Sequence, residues 1–271
     1  MTSYIPQAKD DLDRFYLMLN KQKPFSFIRF SDGEMEIIRN RYVEIGEGYT
    51  IHKGKKLISN FPPFDKKKFD PDIHKNLRLD LMESAKNNQT NFFKGIPTFH
   101  NNLVCDRDYL VDLNGGISEY LTFSDLLLNC NFPIYRKKIV PLFFQFKNIA
   151  VIANFRAKIH QNYTNLHHIK IGDNLFDDYQ NTLESVMLKL IELPEFSLVL
   201  SSASSLSNIV GNKLFNIRPD LTFIDVGTSI NDLLGLQSTT RAYHRLYFKN
   251  SFIDNIYVWR YKLTKEYRIR W

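Results

Sequence analysis

FSLVLSSASSLSNIVGNKLFNIRPDLTFIDVG, residues 196–227, contains two short apolar segments separated by an amphipathic stretch. FSLVLS (196–201) and LTFIDV (221–226) are almost continuously apolar, as strands covered on both faces of a sheet are. The stretch between them, SLSNIVGNKLFN (205–216), has apolar residues at helical spacing. Strand, helix and strand in this order are typical of a parallel sheet.

The same alternation extends upstream. NIAVIA (148–153) and HHIKI (167–171) are predicted strands, and a helix is predicted from about 176 to 193. FSFIRF (25–30) is a further strand near the start of the chain. We therefore predict an α/β fold, a Rossmann-like and mostly parallel sheet with helices on both faces, as a single domain over 1–271.

Three other segments differ from this alternation. Residues 42–72 lose all periodicity and gather Gly, Pro and Lys, so we predict a long loop excursion there. The segment SEYLTFSDLLLNC (118–130) is predicted to be helical. At about 255–271 the sequence interleaves aromatic with basic residues. This end could be a strand with one solvated basic face, or a membrane-surface anchor.

Composition limits the classes of partner. The chain has 271 residues, of which 44% are hydrophobic, and 36 Lys and Arg against 29 Asp and Glu give a formal charge of +7. The positive excess favours anionic partners such as nucleotides, sugar phosphates, nucleic acid or an acidic membrane surface. Cys105 and Cys130 form no CxxC pair, which argues against a disulfide framework or a thiolate zinc site.

The sequence also allows a prediction of the cellular location. The first residues resemble no signal peptide, and no apolar run reaches the roughly 18 residues of a membrane span. We expect a cytoplasmic protein, and attachment to the inner face of the membrane stays open.

Ligands of parallel sheets bind beyond the carboxyl ends of the strands. The polar residues that follow the predicted strands are Asp32, Glu34, Asn154, Arg156, Ser202, Ser204, Ser205, Asp225 and Gly227. Neither GxGxxG nor GxxxxGK[ST] occurs, which argues against a standard dinucleotide-binding dehydrogenase and a P-loop enzyme. The serines of SSASS stand at a predicted helix start, where N–H groups and hydroxyls suit an anion such as phosphate.

The stretch RFSDGE (29–34) allows two interpretations. Ser31 and Glu34 have the spacing of a capping box, in which both side chains satisfy N–H groups at a helix start. That interpretation leaves Asp32 unexplained. Alternatively, Asp32 and Glu34 supply oxygen ligands for Mn²⁺ or Mg²⁺, and Gly33 lets a diphosphate approach the backbone closely. Both interpretations can hold at once.

RFSDGE after an N-terminal strand, together with FIDVGTSIND at the end of a later strand, resembles the GT-D-type glycosyltransferases. These are bacterial enzymes that were first catalogued as a domain of unknown function. The resemblance covers most of the chain, and the R-F-x-D-G-E stretch is its most specific part. This chain has Ser31 where the family often has Gly before the Asp-Gly-Glu motif.

The resemblance implies a metal-dependent enzyme that moves a sugar from a nucleotide-sugar donor, typically a UDP-sugar, in polysaccharide or glycoprotein assembly. The acceptor would be a glycan, a glycoprotein or a lipid-linked sugar. The DxE motif of the family falls on Asp32 and Glu34, which would hold Mn²⁺ or Mg²⁺. By the same analogy Arg29 would lie near the donor phosphates, and Asp225 would line the cleft from the opposite strand.

An inverting transfer also needs a general base. The candidates are Asp225, Asp232, His100 and His244. Asp225 could instead cap a turn, and Asp232 could be an ordinary loop acid. His100 and Asn101 could bind the acceptor, and Arg241 could meet a phosphate or simply solvate a loop.

Two rival functions stay open. The basic aromatic segment could stack on single-stranded nucleic acid, although no recognised nucleic-acid module occurs. The pair Asp32 and Glu34 could also serve a metal-dependent phosphoesterase, a class that usually shows several more Asp or His ligands.

Overall fold

The structure, a computed structural model, describes residues 8–59, 61–97, 104–159, 165–236 and 241–249. Its helices are α1 (Ala8–Asn20), α2 (Asp32–Ile38), α3 (Lys75–Lys86), α4 (Val104–Leu113), α5 (Phe132–Ile134), α6 (Val140–Phe143), α7 (Tyr179–Ile191), α8 (Ser205–Ile217) and α9 (Ala242–Lys249). Its strands are β1 (Ser26–Arg29), β2 (Val43–Ile45), β3 (Tyr49–His52), β4 (Lys55–Ile58), β5 (Lys67–Phe69), β6 (Phe92–Ile96), β7 (Leu121–Phe123), β8 (Ile149–Asn154), β9 (Leu166–Ile171), β10 (Leu198–Ser201) and β11 (Thr222–Asp225).

Seven strands form one sheet in the order β7-β6-β1-β11-β10-β8-β9, and every pairing in it is parallel. The central strands are buried along their whole length, as parallel strands covered on both faces must be. The predicted α/β fold with a mostly parallel sheet is therefore confirmed.

Two apolar clusters occupy the two faces of this sheet. Successive side chains of a strand point to opposite faces, so Phe27 lies in one cluster and Ile28 in the other. The first cluster contains α1 and the helical segment 132–143, and the second contains α3, α7 and α8. Helices thus cover both faces, as predicted. Among the described helices, none is both long and apolar enough to cross a bilayer.

Residues 42–72 differ from the predicted loop, because they include a four-stranded antiparallel sheet in the order β4-β3-β2-β5. Its strands have only three or four residues each. All four residues of β4 are exposed, and those of β3 are half-buried. β3 and β4 therefore have no buried face, and β2 and β5 have one buried residue each, Val43 and Phe69. Such strands carry no apolar alternation, which is the signal from which a strand is recognised.

The helix predicted over 118–130 is also wrong. Residues 121–123 form β7, which pairs in parallel with β6. The three residues of β7 are all buried and continue into the buried Leu126 and Leu127. A short apolar run of this kind has no periodicity that separates a buried strand from a buried helix.

Candidate functional site

The carboxyl ends of β1, β11 and β10 lie side by side, because these strands are neighbours and parallel. Ser201 of β10 is the register partner of Asp225 of β11. The turn after β1 leads into α2, and the turn after β10 leads into α8. This edge therefore brings the RFSDGE and SSASS segments together.

Glu34 is the meeting point of the two turns. Its Oε1 accepts hydrogen bonds from the hydroxyls of Ser205 at 3.1 Å and Ser204 at 3.5 Å. Its Oε2 accepts from the Ser31 N–H at 3.1 Å and from the Ser31 hydroxyl. The residue is only 5% exposed, so a charged carboxylate is held here by surrounding donors.

The contact between Ser31 and Glu34 is the glutamate half of the capping box at the start of α2. Burial opposes ionisation of Glu34, but the Lys67 ammonium and the Ser31 hydrogen bonds outweigh burial and lower the pKa of Glu34. Glu34 is thus an ionised side chain that organises both turns, and the capping interpretation applies to it.

Asp32 differs from Glu34 in being exposed. It is the first residue of α2, and its Oδ1 accepts from the N–H of Gly33 at 3.0 Å. That local bond leaves most of the acceptor capacity of the carboxylate directed to solvent. A ligand arriving from solvent would therefore meet Asp32 before Glu34.

Arg29 and Asp225 form an ion pair under this edge. Arg29 Nη2 donates to Asp225 Oδ1 at 3.0 Å, and Nη1 donates to the carbonyl of Ser124 at 3.1 Å. The Nε atom of Arg29 is buried and has no hydrogen-bond partner among the described residues. Burial raises the pKa of Asp225, and the guanidinium of Arg29 opposes that rise.

Gly227 completes the turn that holds this pair. Its N–H donates to Asp225 Oδ1 at 3.0 Å, and its backbone has a φ of 49°. A Cβ at this position would lie 2.0 Å from Arg29 Nη2. Only glycine therefore lets the guanidinium approach the backbone here.

The small antiparallel sheet contributes residues that the sequence analysis missed. Lys67 of β5 donates from Nζ to Ser204 Oγ at 3.1 Å. Two residues earlier, Asp65 pairs with Arg241 at 3.4 Å, and burial raises the pKa of Asp65 although Arg241 and Lys67 oppose the rise. In the sequence, Lys67 is the second of three consecutive lysines, and no pattern distinguishes it from its neighbours. Only the strand geometry orients its side chain towards Ser204.

Asn154 and Arg156 lie elsewhere along the same edge. Both donate to Asp173, which follows β9. They belong to β8 and its following turn, and β8 is three strand positions from β1, about 14 Å at the usual strand spacing. Ser202 continues the backbone pairing of β10 by donating its N–H to Ile152 at 2.8 Å.

Two of the candidate bases lie in other surroundings. Asp232 pairs with Arg136 at 2.9 Å, and His244 is 1% exposed among the rings of Phe132, Tyr243 and Phe248. Asp225 is the base candidate that the structure places beside Arg29. His100, Asn101 and the segment at about 255–271 lie outside the described residues.

A divalent cation fits the donor set of the DxE motif. Mg²⁺ and Mn²⁺ commonly take one or two carboxylates and complete their coordination with waters and phosphate oxygens. Asp32 and Glu34 provide two carboxylates, and the hydroxyls on Glu34 can rotate away. The described part of the chain holds no group of three or more His, Cys, Asp or Glu side chains placed to bind a metal. A cation at this motif would therefore need further oxygens from water or from a bound phosphate.

Comparison with known proteins gives a fold-level likeness. No family model matches the chain, and no curated protein matches it. A solved selenomethionine-substituted structure of the domain of unknown function 1792 aligns with a TM-score of 0.54 and 12% identity, over 88% of this chain and 80% of that one. A second solved structure aligns with a TM-score of 0.52 and 11% identity, over 89% of this chain and 81% of that one.

The second structure is described in these words: "The highly conserved domain of unknown function 1792 has a distinct glycosyltransferase fold". At such low identity the likeness concerns the fold alone. The fold expected from the resemblance in the RFSDGE and FIDVG segments is thereby confirmed. This chain has the fold of the domain of unknown function 1792, which is described as a distinct glycosyltransferase fold.

Proposed function

We propose that this protein is a metal-dependent glycosyltransferase of the hexosyltransferase type that uses a nucleotide-sugar donor, a UDP-sugar in the first instance. The acceptor would be a glycan, a glycoprotein or a lipid-linked sugar. One observation carries the proposal: the DxE motif meets the start of α8 at the carboxyl edge of a parallel sheet with a glycosyltransferase fold. Nucleotide ligands of parallel sheets bind at this edge.

Asp32 and Glu34 are the residues that would hold Mn²⁺ or Mg²⁺, and Glu34 also keeps the two turns together. The cation supplies positive charge that stabilises the departing diphosphate. The hydroxyls of Ser204 and Ser205 stand at the start of α8, where the positive end of the helix dipole suits the phosphates of the donor. Gly33 has no side chain that would obstruct a diphosphate, and Ser31 orients Glu34.

Transfer joins the acceptor oxygen to the anomeric carbon of the sugar and breaks the bond from that carbon to the phosphate oxygen. The nucleoside diphosphate leaves, and the acceptor hydroxyl gives up its proton. Asp225 is the base candidate that we retain, because it ends β11 at this edge of the sheet and burial raises its pKa. Arg29, held by its ion pair with Asp225, would lie near the phosphates of the donor, as the resemblance implies.

The decisive experiment is calorimetric titration with UDP and GDP, each with Mn²⁺ and with chelator. We expect one of the two to bind only in the presence of Mn²⁺. Asp32→Asn should abolish this binding. Glu34→Gln should weaken it at least about tenfold while α2 stays folded, because Gln also serves at this capping position. The matched control is Glu47→Gln, which changes a 92% exposed carboxylate in the connection between β2 and β3.

Binding that survives chelator, or that is equal in both motif variants and the control, would contradict the metal site. Binding of a single-stranded oligonucleotide in place of both nucleotides would favour the nucleic-acid alternative. That alternative depends on the segment at about 255–271, outside the described residues. Hydrolysis of a phosphodiester without sugar transfer would favour the phosphoesterase.

A further inference from the structure

We propose that Lys67, on the small antiparallel sheet, is a ligand of the donor diphosphate. This inference rests on the function proposed above and adds a residue to the same site. The ammonium of Lys67 lies over the glycine of the DxE motif, since a Cβ on Gly33 would be 3.1 Å from Lys67 Nζ. The same Nζ is 3.1 Å from Ser204 Oγ at the start of α8.

Three arginines at this edge are already paired with acids. Arg29 pairs with Asp225, Arg241 with Asp65, and Arg156 with Asp173. Within the described residues, Lys67 Nζ has no carboxylate oxygen within 4 Å and bonds instead to the neutral hydroxyl of Ser204. An ammonium has three donors, so two remain for a phosphate once Ser204 has taken one.

The strand geometry holds Lys67 in this place. β5 pairs with β2 through the register Ile45↔Lys67, and the N–H of Lys68 donates to Asn174 Oδ1 at 3.1 Å beyond the end of β9. Neighbouring side chains of a strand point to opposite faces, and Lys68 is accordingly exposed while Lys67 is half-buried. The small sheet thus presents one lysine to the motif.

The positive charge of Lys67 already acts on Glu34, whose ionised form it favours. A donor diphosphate carries more negative charge than one carboxylate and would attract the same ammonium. Lys67 would therefore move from neutralising Glu34 to binding phosphate oxygens when the donor arrives. A lysine suits this exchange, because its charge sits on a flexible stem.

The test compares Lys67→Met with Lys67→Arg, and Lys68→Met serves as the matched control on the opposite face. Each protein is titrated in the presence of Mn²⁺ with UDP, UMP and uridine, and with GDP, GMP and guanosine. We expect Lys67→Met to weaken diphosphate binding by about 10- to 100-fold and to leave nucleoside binding unchanged. The diphosphate affinity of Lys67→Arg should stay within a few-fold of that of the unmodified protein. The affinity of Lys68→Met should equal that of the unmodified protein.

A merely structural lysine gives a different pattern. If Lys67 only supported the fold of the site, Lys67→Met would weaken diphosphate and nucleoside in parallel, and this result would overturn the inference. Thermal unfolding of each variant checks the fold. Lys67→Gln, which replaces the ammonium by an uncharged amide donor, repeats the comparison if Lys67→Met does not fold. Diphosphate binding that is undiminished in Lys67→Met and Lys67→Gln would also overturn it.

The two proposals can fail separately. If the unmodified protein binds neither UDP nor GDP, the proposed function fails and the assignment of Lys67 fails with it. If the unmodified protein binds a nucleoside diphosphate and the Lys67 variants bind it equally well, the glycosyltransferase proposal stands and only the role of Lys67 is rejected.

Discussion

Glu34, at the carboxyl edge of the parallel sheet, joins two turns that are far apart in the sequence. Glu34 closes the capping box with Ser31 and also accepts hydrogen bonds from the serines of a distant turn. The capping pattern could be predicted from the sequence, because both partners lie within four positions of each other. The serine contacts could not, since residues 34 and 205 come together only through the sheet.

Gly227 offers the sharpest test at the residue scale. Gly227→Ala would put a Cβ 2.0 Å from Arg29 Nη2 at a backbone φ of 49°. The guanidinium must then move away from Asp225, which leaves a buried carboxylate without its partner. We expect the free energy of unfolding in urea to fall by about 3 kcal/mol, with loss of nucleotide binding.

The control for that change is Gly172→Ala. A Cβ on Gly172 would have nothing within 4 Å, so its free energy of unfolding should stay within about 0.5 kcal/mol of the unmodified protein. Equal stability of the two variants would show that the pairing of Arg29 with Asp225 does not depend on Gly227.

At the scale of elements, β6 carries a buried lysine that joins it to α3. Lys94 is 2% exposed, and its Nζ donates at 2.6 Å to the carbonyl of Ala85 in the last turn of α3. The last carbonyls of a helix lack partners within the helix and favour a nearby positive charge. Burial nevertheless lowers the pKa of Lys94 to about 7.

This lowered pKa predicts a dependence of stability on pH. Between pH 7 and about 10.5, the unfolded chain keeps the lysine proton and the folded protein releases it, so the contribution of Lys94 to stability rises with pH. Lys94→Met lacks this contribution. At pH 6 we expect the variant to be more stable by about 1 kcal/mol or more, because it buries no charge.

Urea unfolding at pH 6, 8 and 10 would measure this difference. The advantage of Lys94→Met should shrink steadily as the pH rises. A difference that stays constant over the whole range would mean that Lys94 keeps its proton in the folded protein up to the pH at which the unfolded chain loses it.

At the scale of the whole molecule, the two sheets differ in what holds them. The central strands β8, β10 and β11 are buried between two apolar clusters, whereas β4 is fully exposed. Local opening costs least where few apolar contacts are lost. We expect amide hydrogen exchange to be several orders of magnitude slower in those three strands than in β3 and β4.

Donor binding should change this pattern in one place. If Lys67 contacts the diphosphate, UDP with Mn²⁺ should slow exchange in β5 and β2 more than in β4, which lies at the far edge of the small sheet. Equal slowing of exchange in β5 and β4 would argue against this contact. For the free protein, equal exchange rates in the two sheets would contradict the difference in packing.

Long apolar strands could be predicted from the sequence, whereas very short strands could not. The strands of the parallel sheet were predicted where continuous apolar runs alternate with helical spacing, as at 148–153 and 221–226. β7 and the small sheet were missed, because strands of three or four residues carry too little pattern. The likeness to a glycosyltransferase fold agrees with the resemblance that the RFSDGE segment carries.

The sequence by itself determined the α/β class, the position of the DxE motif after the first strand and the capping relation of Ser31 and Glu34. These features depend on neighbours in the chain or on repeated apolar spacing. Only the tertiary structure decided that Glu34 meets Ser205, that Arg29 is tied to Asp225, and that Lys67 lies over Gly33. Such contacts join residues up to 196 positions apart. The order and register of the strands bring these residues together, and no local pattern in the sequence encodes that order.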